Sequence, residues 1–404
     1  IAADEDNFWN GKQFYDFLIE EVIVYEDGKP VNVQDKDYQK LFDYSSIQKE
    51  IKDIKANQPK INYHISDENI GVGTPKQRYQ NNIVAIQLLF SLEKQNRHAT
   101  KEEQDILAKY VGWGGLSEVF DETKSSWANE YAELKSLLSE EEYISAREST
   151  LSAFYTSPVV IDSIYQVIEN LGFHQGNILE PSCGVGNFFG RIPEDLNNSH
   201  FYGIELDSLT GRIAKQLYQN VNIAIEGYEN TKLPDSFFDI AIGNIPFGQF
   251  KVLDKRYDKL NFNIHDYFFA KTLDKVRPGG LICFVTSRFT MDKKNSSVRK
   301  YINERAELLG AVRLPNTAFK QSAGTQTVSD ILFLKKREKP MVNEEPWIFT
   351  SLDDDGNIMN QYFIDHPEMI LGTVEKTQSM YGREDLTVVP YDDKTLKESL
   401  DEVI

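Results

Sequence analysis

Short apolar runs alternate with amphipathic ones through the middle of the chain. Strands are predicted at Asn177–Glu180, Phe201–Leu206, Asn222–Glu226, Phe238–Gly243, Leu281–Thr286, Leu309–Leu314 and Asp330–Leu334. Helical spacing falls between most of them, at Val159–Leu171, Leu209–Tyr218, Asp266–Val276 and Val298–Glu307. A βαβα rhythm predicts a mostly parallel sheet covered on both faces. The last two strands have no helix between them, which predicts one antiparallel strand at an edge. Upstream, Asn82–Leu92 has helical spacing, and Thr100 with Glu103 forms a capping box for a helix that runs to "GWGGL" at 112–116. Ser139 with Glu142 is a second box, leading into Tyr143–Arg147. The division predicted is a mixed polar segment (1–75), a helical region (76–150), the α/β domain (151–337) and an acidic extension (338–404) with no further sheet rhythm.

Composition narrows the function classes. A chain of 404 residues, 40% hydrophobic and 12% aromatic, can build two or three cored domains. No run of 18 apolar residues offers a membrane span, and no signal-peptide pattern opens the chain. It begins at Ile1 rather than Met, as a processed chain or an excised piece of a longer one would. Two cysteines cannot make a disulfide framework, so a reducing cytoplasm is expected. Six histidines without ligand spacing argue against a metal. The net charge of −19 argues against a freestanding nucleic-acid binder. Residues 251–300 nevertheless carry twelve Lys/Arg against five Asp: either a local basic face or an ordinary solvated helix surface.

The chemistry concentrates at predicted strand ends. "NILEPSCGVGNFFG", 177–190, is a strand followed by a glycine turn in which Gly184 and Gly186 let the backbone approach a ligand. Glu180 closes that strand. An anion there repels phosphate and suits a cationic ligand, shifting the expectation from NAD to S-adenosylmethionine. "FYGIELD" ends the second strand in Glu205, placed to accept both hydroxyls of an adenosine ribose. In "FYTSP", 154–158, Thr156 and Ser157 are candidate caps with Pro158 in the first turn, and the same loop is placed to hold a methionine carboxylate. Tyr228 and Glu229, after the third strand, are candidates for the adenine face and its amine.

The fourth strand runs into Asn244-Ile245-Pro246-Phe247. A plain turn explains Asn and Pro but not the whole set. An amino nitrogen conjugated to a ring is a poor nucleophile. Two acceptors on its hydrogens, the Asn244 side-chain oxygen and the Ile245 carbonyl, draw it toward a tetrahedral shape while Phe247 stacks on the ring. Preorganisation of this kind needs no covalent nucleophile.

These motifs resemble the adenine-N6 DNA methyltransferases of the gamma type, over about 151–337. "GWGGL", "LEPSCGVGNFF", "HDYFFAKTLDKVRPGG" and "LLGAVRLPNTAFK" are similar to the methylase modules of very large methylase–helicase proteins on bacterial mobile elements. The resemblance implies a Rossmann-like, seven-stranded methyltransferase sheet, with Tyr155, Thr156, Glu180, Pro181, Gly184, Gly186 and Glu205 around the donor. It implies Asn244, Pro246 and Phe247 at the target base, DNA as partner, and a helicase region in a longer parent chain. Ile245 departs from the usual first proline of the Asn-Pro-Pro-aromatic signature. No sizeable target-recognition region follows the sheet.

A duplex base must be flipped out to reach such a pocket, at a few kcal/mol, and stacking on Phe247 recovers ~1–3 kcal/mol. Lys251, Lys255, Arg256 and Lys259 are expected to meet phosphates. Phe262 is a second stacking surface or, with Tyr257, packs the loop down. His265 is expected to support the next helix, and Trp113 to pack a helix stop. Two other functions stay open: methylation of a protein glutamine amide, and a methyltransferase fold kept as a binding module without turnover.

Overall fold

The computed structural model describes residues 24–26, 29–31, 59–67, 71–150, 156–319, 327–378 and 384–404. The chain forms two compact units, Ile1–Lys60 with Phe90–His98, and Ile61–Leu89 with Ala99–Ile404. In the first, β1 (Val24–Glu26) and β2 (Lys29–Val31) pair as an antiparallel hairpin.

In the second, both capping boxes are present. Thr100 accepts from the Glu103 N–H at the start of the helix Lys101–Leu107, and Ser139 from the Glu142 N–H at the start of Glu140–Ser149. The first of these helices stops at Leu107, short of "GWGGL". Beyond it, the Arg78 guanidinium donates to the Gly114 carbonyl and the Asn82 amide to the Gly112 carbonyl, while Trp113 is fully buried. The segment is therefore a turn clamped by the preceding helix, Pro75–Lys94.

The sheet contains β3 (Asn177–Glu180), β4 (His200–Glu205), β5 (Asn222–Ile225), β6 (Phe238–Asn244), β7 (Val276–Ser287), β8 (Ala306–Arg313) and β9 (Ser329–Lys336), in the order β5-β4-β3-β6-β7-β9-β8. Pairs among β3 to β7 are parallel. β9 runs antiparallel to both β7 and β8, so the reversed strand inserts one place in from the rim. The chain winds outward from β3 in one direction and from β6 in the other. Their neighbouring carboxyl ends form the switch point where open α/β sheets bind ligands. The helix Ile264–Lys275 covers β6 and β7, burying Phe268, Phe269 and Leu273.

The acidic tail departs from expectation. It makes two further hairpins, β10 (Thr350–Leu352) with β11 (Ile358–Asn360), and β12 (Thr373–Gln378) with β13 (Glu384–Val389). These strands are short and largely polar outward, which hid their rhythm. The tail nevertheless contributes to the core: Trp347, Met359, Phe363, Ile370 and Val388 join the main hydrophobic cluster, while Leu352 and Ile358 stay exposed. The Asn316 N–H donates to the Val388 carbonyl, and Arg288 pairs with Asp385, tying the second hairpin to the sheet.

Candidate active site

A cavity of about 620 Å³ opens at the switch point. It is lined by Glu180 to Gly184 after β3, Glu205 to Asp207 after β4, Glu226 to Glu229 after β5, and Asn244 to Gly248 after β6, with Thr156 closing one side. Four loops distant in sequence are thus gathered at the carboxyl ends of adjacent strands. Candidates for donor and target base share one wall.

The donor side is lined by carboxyl groups. Glu180 is 2% exposed and its Oε2 has no hydrogen-bond partner. Burial, reinforced by the nearby Glu205 charge, pushes its carboxyl well above the usual range. β6 passes close by: a Cβ on Gly243, whose φ is +141°, would come within 3.1 Å of Glu180 Cγ. A buried carboxylate oxygen left unsatisfied is costly, and a cationic ligand is its natural complement. The Gly184 N–H donates to Glu205 Oε2 at 2.8 Å and the Asp207 N–H to Oε1 at 2.8 Å. Burial pushes the Glu205 carboxyl up to about 7 against these donors.

Several candidates also make contacts within the fold. A Cβ on Gly186 (φ +87°) would strike the Tyr218 ring at 2.5 Å; this residue does not line the cavity, and turns the chain into the short helix Asn187–Gly190. Ser157 stands at the helix N-cap but its hydroxyl caps nothing, so Pro158 alone starts the helix Pro158–Asn170. Tyr155 lies outside the described residues. Tyr228 is buried, its hydroxyl 3.1 Å from Thr272 Oγ1, while Glu229 reaches the cavity beside it.

Asn244 ends β6 and is half-buried at the cavity wall; its Oδ1 has no accessible surface, so the amide must turn to present that oxygen. The Ile245 N–H donates to the Val285 carbonyl at 3.1 Å, extending the β6–β7 pairing one residue past the strand. Its side chain is 1% exposed, in the same cluster as Ile264 and Phe268. Pro246 and Phe247 follow, half-buried and facing the cavity.

The basic segment is only partly available. Arg256 is held by Asp235 at 2.8 Å and Asp274 at 2.7 Å, and Phe262 packs edge-on against Tyr301 at 5.5 Å. Both side chains are thus engaged within the molecule, as is Tyr257, whose hydroxyl donates to Asp274. Lys255 and Lys259 are exposed, as is Lys251, which donates to Asn261. His265 is buried beside Asp266 in the first turn of its helix, consistent with support. Among the described residues no acidic, His or Cys cluster could hold a metal.

Sequence reasoning missed the roof. Ser145, Glu148 and Ser149 line the cavity from the helix Glu140–Ser149. Ser145 donates to Asp207 at 2.7 Å and Arg212 pairs with Glu142 at 2.5 Å, fixing that helix over the β4 end. No local pattern marks these residues; only the fold brings them there.

The family model for N-6 DNA methylases matches residues 138–379. The chain belongs to the N-6 DNA methylase family. Its cofactor is S-adenosylmethionine, and the cavity chemistry is compatible with that molecule: the buried Glu180 oxygen without a partner suits a ligand that carries sulfonium and ammonium charges. Over 345 residues the chain is 28% identical to the defense against restriction protein B of Escherichia phage P1, covering 82% of this chain but 14% of that protein. It is 33% identical over 105 residues to the type II methyltransferase M.CvrRI of Paramecium bursaria Chlorella virus XZ-6E, covering 26% of this chain and 27% of the other. The chain thus spans a minor part of the relatives it matches. A type I restriction-modification methyltransferase subunit from Streptococcus thermophilus has a TM-score of 0.42 at 13% identity, over 81% of this chain and 86% of its own.

Proposed function

We propose that this chain transfers a methyl group to the N6 amino group of adenine in DNA, with the target base turned out of the helix into the cavity. The observation that carries this reading is the adjacency of Asn244–Phe247 to the Glu180 wall, on neighbouring strands of one cavity. When bound, S-adenosylmethionine supplies an electrophilic methyl carbon on a sulfonium. The chain's residues do the rest. Glu205 accepts the ribose hydroxyls, Glu180 faces the cationic part, and Thr156 bounds the methionine end. The Asn244 oxygen and the Ile245 carbonyl would accept from the two N6 hydrogens, localising the nitrogen lone pair for attack on the methyl carbon; the new carbon–nitrogen bond would replace the carbon–sulfur bond, and the surplus N6 proton would leave to solvent. Phe247 stacks on the base. Aromatic stacking offsets part of the few kcal/mol that flipping costs.

Incubation with labelled donor and unmethylated bacterial DNA, followed by digestion to nucleosides, is expected to yield N6-methyladenine. Label confined to protein would favour the second reading, transfer to a glutamine amide. That reading draws support from Arg256 and Phe262 being engaged within the molecule, which reduces the face left for nucleic acid.

A further inference from the structure

The loop after the catalytic residues holds two apolar side chains out beside the cavity. Leu253 is 87% exposed and Phe250 53%. A lone exposed leucine is ordinary, but this one is mounted. On one side, the Phe250 carbonyl accepts from the Ile264 N–H at 2.9 Å, pinning the loop to a helix start. On the other, Asp254 accepts from the Tyr267 hydroxyl at 2.8 Å and from Lys271 Nζ at 3.1 Å, both on that same helix. Only three residues separate the two anchors. Val252 turns in to line the cavity, leaving Leu253 turned out. Phe250 stands at the cavity lip, its ring so close to the backbone that a Cβ on Gly248 would meet it at 2.5 Å. Exposed Lys251 and Lys255 flank the apolar pair, matching the charge of a polynucleotide backbone.

We propose that Leu253, backed by Phe250, is a wedge that enters the base stack of duplex DNA beside the target and fills the space the flipped base vacates. The inference rests on DNA being the substrate. Apolar side chains inserted between base steps unstack them locally. A leucine whose backbone is pinned on both sides loses little backbone freedom on insertion and gains the burial of its side chain.

Once the site methylated by the parent chain has been mapped, two duplexes are made. In one the target adenine pairs with thymine; in the other it faces an abasic gap and is already unpaired. Leu253→Ala is expected to lose about tenfold in kcat/KM on the paired duplex and stay within about twofold of the parent on the gapped one. Leu253→Met, which restores apolar bulk, is expected to recover the paired activity. Equal losses on both duplexes, or no loss on the paired one, would overturn the wedge alone. A parent chain that methylates no DNA overturns the functional reading and the wedge with it.

Discussion

Ile245 uses both its N–H and its side chain, one in the β6–β7 pairing and the other in the core. A proline there could make neither contact in the same way, since it has no N–H and less bulk. Ile245→Pro is therefore expected to cost about 2–4 kcal/mol in denaturant unfolding, even though it restores the usual signature. The rigidity that the signature draws from a ring comes here from burial. Asn244→Ala should abolish methyl transfer while leaving donor binding largely intact, checked by label transfer alongside calorimetry; full activity would sink the pincer. Glu205 gives a pH signature. Its folded value of about 7 lies above the ordinary 4.5, so its ionisation opposes folding of the ligand-free protein. Thermal stability should fall as pH rises from about 4.5 to about 7, and Glu205→Gln should flatten that slope. Ribose hydroxyls donate to the ionised form, so donor affinity should rise across the same window.

At the scale of elements, local signals were the legible ones. Both capping boxes, the strand end at Glu180, the end of β6 to within one residue, and an antiparallel strand towards one edge could be read because each depends on a few adjacent residues or on element order. Arg256 could not: its partners Asp235 and Asp274 lie 21 residues before and 18 after it in sequence, and only folding shows that they neutralise it. The helix Glu140–Ser149 was legible from its capping box, but its place over the cavity was hidden for the same reason. Phe363 shows what the tail contributes. It is fully buried, with the Arg313 guanidinium 4.2 Å over its ring, and Arg313 is itself paired with Asp330 and Asp292. Phe363→Ala should cost about 3–5 kcal/mol, read as a lowered denaturant midpoint.

For the whole molecule, charge limits how DNA can be held. The net charge is −19, and the exposed cations of the loop after Phe247 are Lys251, Lys255, Lys259 and Arg256, the last already paired with Asp235 and Asp274. Each phosphate neutralised contributes a slope of about −0.9 in log affinity against log salt, so duplex binding by this chain should show a slope near −3. A much steeper slope would place the main contact surface elsewhere.

The second tail hairpin sets where the molecule can be divided. The matched family segment stops at residue 379, between β12 and β13. A fragment ended there strips Val388 from the interior and leaves every outward amide and carbonyl of β12 without its neighbour. Copies of that fragment would add to one another strand upon strand and come out of solution, whereas a fragment carried through Val389 keeps β12 paired along the edge that β13 covers.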